Sequence, residues 1–267
     1  MPGPLTWQSE ERCVVRDATF QILPADLLAR PNPRISMEGA DFLLFKERPL
    51  IDRYVERLDE LRPRNIVELG VMEGGGTALL HALAQPTRIV AIDRRPPMDS
   101  TLRDYVAREG LGETIRIYDD VDQADRRRLS EIVDREFGDQ PLDLVVDDCS
   151  HLYDPTRASF NELFPRLRPG GVFSIEDWPW AHEQPVAEMW ADEVPLTRMI
   201  LELVIANPVV PDVISEVAVD ADTVWVTRGD AEVDPSAFDL SSCPDRRGRE
   251  LLAQDERVRG GAPDSSG

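Results

Sequence analysis

Residues 65–77 read Asn65-Ile66-Val67-Glu68-Leu69-Gly70-Val71-Met72-Glu73-Gly74-Gly75-Gly76-Thr77, and the fold turns on this stretch. A short apolar run that ends in glycine reads as a buried strand, and the glycine-rich turn after it opens a helix over 77–84. The pattern then repeats. Strand-like runs at 88–92, 114–118, 142–146 and 172–175 alternate with helical patterns at 100–109, 125–137 and 156–167. Such alternation predicts an α/β fold: a Rossmann-like, doubly wound, mostly parallel sheet with helices on both faces. A helix over 196–206 follows, and then runs at 213–219 and 223–227. Only a few residues separate these last two runs, which predicts an antiparallel C-terminal edge.

The rest of the chain is arranged around that unit. Residues 1–61 read as an N-terminal arm with cap helices: an irregular piece over 1–36, then one or two amphipathic helices over 40–61, broken near Pro49. The Rossmann-like domain takes 62–230. Residues 231–267 read as a polar tail, with a short helix near 249–254 and a disordered end.

Composition narrows the function. The 267 residues carry a net charge of −21, and a surface that acidic repels phosphate backbones and anionic headgroups. Nucleic acid and membrane are therefore not expected partners. A neutral or cationic small molecule fits better, and a homo-oligomer is left open. Lys46 is the only lysine, so the chain has no Gly-Lys-Ser/Thr phosphate loop. A Schiff-base mechanism would have to use Lys46, which this reading places in a helix ahead of the core. Cys13, Cys149 and Cys243 are too widely spaced for a disulfide framework or a zinc site. No apolar run approaches the roughly 18 residues of a membrane span, and 1–12 has no signal-like segment. A cytoplasmic protein is the expectation.

Ligands of open α/β sheets bind at the carboxyl ends of the strands. The spacing here is Gly-x-x-x-Gly-Gly-Gly rather than the Gly-x-Gly-x-x-Gly of dinucleotide binders. Glu68 at the first strand end would repel a pyrophosphate and attract an ammonium or sulfonium. Asp93 ends the second strand, where an acid accepts hydrogen bonds from ribose hydroxyls. Asp119 or Asp120 ends the third and faces the adenine amine. With Gly70, Val71, Gly74, Gly75 and Thr77 lining the turn, this set predicts S-adenosylmethionine rather than a nicotinamide cofactor. The alternatives are a nicotinamide-dependent oxidoreductase and a non-catalytic binding protein that keeps only the fold.

Two groups of residues also resemble a known family. Val67-Glu68-Leu69-Gly70 followed by Gly74-Gly75-Gly76-Thr77 resembles the first motif of class I methyltransferases. Val145-Val146-Asp147-Asp148-Cys149-Ser150-His151, Leu163-Phe164-Pro165-Arg166-Leu167-Arg168-Pro169-Gly170-Gly171 and Ile175-Glu176-Asp177 are similar to the metal-dependent sugar O-methyltransferases of the macrocin and mycinamicin type, and to cephalosporin hydroxylase-like proteins. The resemblance covers residues 65–180. It implies a Mg²⁺ ion held by Asp148, Glu176 and Asp177, with His151 as general base, in an enzyme that O-methylates a small natural product or sugar. Cys149 stands where that family often has glycine.

Physical chemistry is consistent with that transfer. Three carboxylates at the ends of adjacent strands, ~4.8 Å apart, would raise one another's pKa, and a divalent cation removes the conflict. Asp147 and Asp148 are adjacent, so they face opposite ways and only one is expected as a ligand. His151 is either the base or a hydrogen-bonding loop residue, and His182 is a second base candidate; His81 reads as structural or exposed. On the acceptor side, Tyr153, Trp178, Trp180 and His182 are the expected contacts, although the tryptophans equally suit packing of the loop. Trp190 belongs to the same aromatic group.

Overall fold

The computed structural model describes residues 5–23, 36–184 and 186–260. The chain opens with three short strands, β1 (Leu5–Ser9), β2 (Arg12–Val15) and β3 (Ala18–Ile22), paired antiparallel. A fourth, β4 (Phe42–Leu44), joins β3 in parallel. The sequence reading of an irregular arm is thus corrected: residues 5–22 form most of a small sheet. The strands escaped notice because they are short and one connection lacks a turn signature. Arg16 turns the chain between β2 and β3 at φ +54°, a conformation usually taken by Gly, Asn or Asp. The helices expected over 40–61 are likewise one strand and one helix, α1 (Arg48–Leu61). Pro49 falls in the first turn of α1, where its missing amide costs nothing, so it starts the helix instead of breaking it.

The alternation beyond α1 matches the sequence reading closely. The elements are β5 (Asn65–Leu69), α2 (Gly75–Ala84), β6 (Arg88–Ile92), α3 (Thr101–Arg108), β7 (Ile115–Tyr118), α4 (Arg126–Phe137), β8 (Leu142–Asp147), α5 (Tyr153–Leu163) and β9 (Leu167–Glu176). After them come the short α6 (Val186–Met189), α7 (Thr197–Ala206), β10 (Ile214–Val219), β11 (Thr223–Arg228) and α8 (Arg246–Gly260). The sheet has seven strands in the order β10-β11-β9-β8-β5-β6-β7. β5 lies between β6 and β8, parallel to both. β11 runs antiparallel to β9 and to β10, which gives the expected antiparallel edge. Among the described residues no helix is long and apolar enough to cross a membrane.

Every residue of β5 is buried, as a central strand covered on both faces requires. One face packs Leu50, Tyr54 and Leu58 of α1 against Ile66, Leu144, Val146 and Trp225. On the other face lies the largest core, where Leu129 and Phe137 of α4, Phe160 of α5 and Leu203 of α7 meet Val67, Val145 and Phe173. Helix α2 lies between the main sheet and the N-terminal one: Ala78, Leu79 and Ala82 pack on Phe20, Phe42 and Leu44. The polar tail also needs correction over its first half. Phe238, Leu240 and Cys243 are buried in the main core, and the Leu240 amide donates to Asn161 Oδ1 at 2.9 Å. The expected disorder at 261–267 lies outside the described residues.

Two glycines set the geometry of the sheet edge. Gly70 turns at φ +88°, and a Cβ there would stand 1.9 Å from the Asp148 carbonyl oxygen. A Cβ on Gly75 would stand 2.0 Å from the Leu43 carbonyl oxygen, so only glycine lets α2 approach β4 this closely. Gly70→Ala combines backbone strain with a backbone collision and should destabilise the fold by about 2–4 kcal/mol. Urea unfolding reads this directly, and a midpoint equal to that of the unaltered protein would refute the tight β5–β8 junction.

Candidate active site

Register alone decides which strand-end acids meet. Glu68 pairs with Val146, and Val146 with Ser174. Side chains alternate along a strand, so Glu68, Asp148 and Glu176 share the face covered by α1 and α2. Asp147 faces the opposite way, as expected. It accepts hydrogen bonds from Gln123 Nε2 at 2.9 Å and Ser159 Oγ at 2.7 Å. Burial pushes its pKa up to about 7.

The residue that organises this face is Lys46, in the turn between β4 and α1. Its side chain is buried, and Nζ lies 2.6 Å from Asp148 Oδ2 and 2.5 Å from Glu176 Oε2. The other oxygen of Glu176 accepts from the Tyr54 hydroxyl at 2.5 Å. Burial alone would favour a neutral amine, but Asp148 and Glu176 reverse this and raise the Lys46 pKa well above its ordinary value. Sequence reasoning missed Lys46 and Tyr54. The available signal was that the chain holds one lysine among its 30 basic residues.

Both oxygens of Glu176 are therefore engaged, one by Lys46 and one by Tyr54. Among the described residues, Asp148, His151 and Asp177 each bring one possible ligand atom within 4.8 Å of the others. His151 Nε2 lies 4.0 Å from Asp148 Oδ1 and 3.8 Å from Asp177 Oδ2. Atoms bound in common to a small divalent cation at about 2.1 Å lie within ~4.2 Å of one another, so Asp148 and Asp177 can share one with small side-chain adjustments, and His151 Nε2 faces both carboxylates. His151 and Asp177 are both held in the left-handed region, at φ +55° and +54°. Strain of this kind persists where the surroundings dictate it, commonly at functional sites. Burial lowers the His151 pKa to about 4, against a hydrogen bond from its ring to the Glu176 backbone. Burial, with Asp148 and Glu176 adding to it, raises Asp177 to about 8.

The expected cofactor residues divide into two groups. Val71, Asp93 and Asp119 line a cleft beside the glycine turn, together with Met72, Arg95, Ser100, Leu102 and Arg103. Asp93 Oδ2 accepts from the amides of Val71 and Met72, each at 2.9 Å, and Oδ1 accepts from the Arg95 amide at 2.8 Å. Burial opposes its ionisation, but these bonds and the Arg95 guanidinium outweigh it and hold the carboxyl below its ordinary range. Asp119 is ion-paired with Arg103, whereas Asp120 is exposed and absent from the cleft wall. The second group braces the turn from below. Glu68 is buried, accepts from the Thr77 hydroxyl, and is pushed by burial up to about 8. The expectation was a negative charge at Glu68; its burial favours the neutral acid. Gly70, Gly74 and Gly75 act through close packing.

On the acceptor side the structure separates the four candidates. Trp180 lies against His151, ring centroids 4.6 Å apart, and next to Trp190 at 6.4 Å. Trp178 donates from Nε1 to the Asp220 carbonyl at 3.0 Å and packs on the main core. His182 is exposed, with Nε2 at 2.5 Å from Thr197 Oγ1. Tyr153 is buried in the main core, and its hydroxyl donates to Glu202 at 2.5 Å. His81 is structural, as expected, with Nδ1 3.1 Å from the Tyr105 hydroxyl.

Residues 67–178 match the family model of a methyltransferase domain. Demethylmacrocin O-methyltransferase of Streptomyces fradiae is 46% identical over 63 residues, which cover 22% of this chain and 15% of that protein. Mycinamicin VI 2''-O-methyltransferase of Micromonospora griseorubida gives the same identity and coverage. Among solved structures, MycE methyltransferase of mycinamycin biosynthesis, in complex with Mg, SAH and mycinamycin VI, is similar with a TM-score of 0.53 and 26% identity. That superposition covers 67% of this chain and 49% of MycE, so the chain matches about half of this relative's length. The likeness supports the α/β methyltransferase architecture.

The buried acids give a pH signature. A carboxyl whose pKa is raised in the folded protein contributes stability below its unfolded value near 4, and that contribution is lost as pH rises through the folded value. Glu68 and Asp177 at about 8 and Asp147 at about 7 place the loss up to pH 8. His151, lowered to about 4, acts oppositely between pH 4 and about 6.5. The metal-free protein should therefore lose melting temperature most clearly between pH 6.5 and 8. A flat or rising profile across that interval would show that these acids are ionised in the fold.

Proposed function

We propose that the chain is an S-adenosylmethionine-dependent O-methyltransferase that acts, with a divalent cation such as Mg²⁺, on a hydroxyl of a sugar or other small natural product. One observation carries this reading: Asp148, His151 and Asp177 converge at the same sheet edge as the Gly70–Gly76 turn and its cleft. The sugar O-methyltransferase relatives and the Mg and SAH of MycE support it.

Bound there, S-adenosylmethionine supplies an electrophilic methyl group, and a divalent cation supplies the charge that lowers a hydroxyl's pKa. Asp148 and Asp177 would hold the cation. His151, kept neutral by burial, accepts the acceptor's proton at Nε2. Trp180 packs on the imidazole and presents an indole face on which a sugar ring can stack. The Val71–Met72 amides fix Asp93 at the cleft, and a ribose diol would take the place of the Arg95 guanidinium on its carboxylate. Holding the acceptor in line with the methyl group is the main catalytic task, one that positioning can make worth about 7–11 kcal/mol.

The test is methyl transfer from labelled S-adenosylmethionine to glycosylated polyketides with free sugar hydroxyls. Turnover should stop in chelator and return with Mg²⁺. His151→Ala should cost about 10²–10⁴-fold in turnover, with S-adenosylhomocysteine affinity by calorimetry unchanged. Full turnover in chelator would remove the metal from the scheme but leave the methyltransferase. Tight NAD⁺ binding without S-adenosylhomocysteine binding would overturn the class of enzyme.

A further inference from the structure

We infer that Arg95 is a latch on the ribose end of the cofactor cleft: its guanidinium competes with the cofactor's ribose hydroxyls for Asp93, and swings to Glu73 when they take its place. This rests on the reading of Asp93 as the ribose acceptor. It goes beyond that reading by giving the chain a residue of its own that holds cofactor affinity down.

Most of the accepting capacity of Asp93 is taken by backbone. Oδ2 accepts from the amides of Val71 and Met72, each at 2.9 Å, and Oδ1 accepts from the Arg95 amide at 2.8 Å. An ionised carboxylate offers about four lone-pair places, so one is left, on Oδ1. Arg95 Nε fills it at 3.2 Å, and Nη2 adds a contact with Oδ2 at 3.3 Å. A ribose diol that donates to Asp93 needs this last place. The three amides belong to the glycine turn and to the strand end, so the guanidinium is the donor that has to yield.

The local structure lets the side chain leave while the backbone stays. The two guanidinium bonds are the longest of the five on Asp93, and longer than the roughly 2.7–2.9 Å of a strong charge-assisted hydrogen bond. The Arg95 backbone is held at both ends: its amide donates to Asp93, and its carbonyl accepts from the Asp120 amide at 2.9 Å. Pro96 and Pro97 follow directly and restrict rotation there further. Motion is thereby confined to the side chain, which is partly exposed, and a second seat is in reach. Arg95 Nη1 stands 3.8 Å from Glu73 Oε1, on the glycine turn. Moving there keeps the guanidinium paired with a carboxylate, and both pairs are open enough to water that the exchange costs little.

The experiment is calorimetric titration of the full chain with S-adenosylhomocysteine at low and high KCl. Arg95→Met removes the competitor and should tighten binding about threefold, a gain that damage to the fold would not produce. In the unaltered protein, salt that screens the Arg95–Asp93 pair should tighten binding about twofold, and Arg95→Met should abolish that response. Glu73→Gln takes away the second seat and should weaken binding about twofold, but only while Arg95 is present, so the double variant should match Arg95→Met alone. Binding by Arg95→Met that is weaker than, or equal to, that of the unaltered protein overturns the latch and leaves Asp93 as the ribose acceptor. If Asp93→Ala binds S-adenosylhomocysteine as tightly as the unaltered protein does, the ribose reading and the latch fall together.

Discussion

The ammonium of Lys46, buried between Asp148 and Glu176, is the interaction on which the arrangement of the sheet edge depends. A buried ion pair gains little unless every charge in it is well partnered. Here the partners come from four parts of the chain: the β4–α1 turn, α1 through Tyr54, and the ends of β8 and β9. The contact ties the N-terminal sheet to the carboxyl edge of the main sheet. It also explains why α1 covers this face, since Tyr54 both packs edge-on against Trp225 at 5.1 Å and donates to Glu176.

Around that pair the protein keeps acids in an environment that disfavours their charge. Glu68 and Asp177 are raised to about 8, by burial first, with neighbouring carboxylates adding to it. His151 is pushed the other way. Groups whose surroundings drive their pKa values apart mark functional sites more often than structural ones. The left-handed backbone at Met72, Asp120, His151 and Asp177 falls in the loops after four different strands of the same edge. Strain and electrostatic tension are thus concentrated where ligands of open α/β sheets bind.

The stretch shared with sugar O-methyltransferases is short beside the chain as a whole. The 63-residue alignments cover 22% of it, and the methyltransferase model ends at residue 178. The aromatic pair Trp180 and Trp190 lies beyond that limit. So do α7 and the buried segment at Phe238 to Cys243. From this part of the chain Glu202, in α7, reaches back 49 residues to take the hydroxyl of Tyr153.

From Asn65 onward the sequence by itself determined the order of the main strands and helices and the placing of Asp93, Asp148 and Asp177 at strand ends. Those properties follow from local periodicity and from the rule that strand alternation fixes side-chain facing. Alternation also foretold that Asp147 and Asp148 would part company. Tertiary structure alone decided who meets whom. Lys46 reaches Asp148 and Glu176 across 102 and 130 residues of chain, and no pattern in a window of sequence encodes such a pairing. Glu68 reads as a charged acid from its position, while its burial beneath α2 favours the neutral form, a cause that its neighbours in the chain do not reveal. The short N-terminal strands stayed illegible for a related reason: they are stabilised by packing on α2, an element that lies beyond them in sequence.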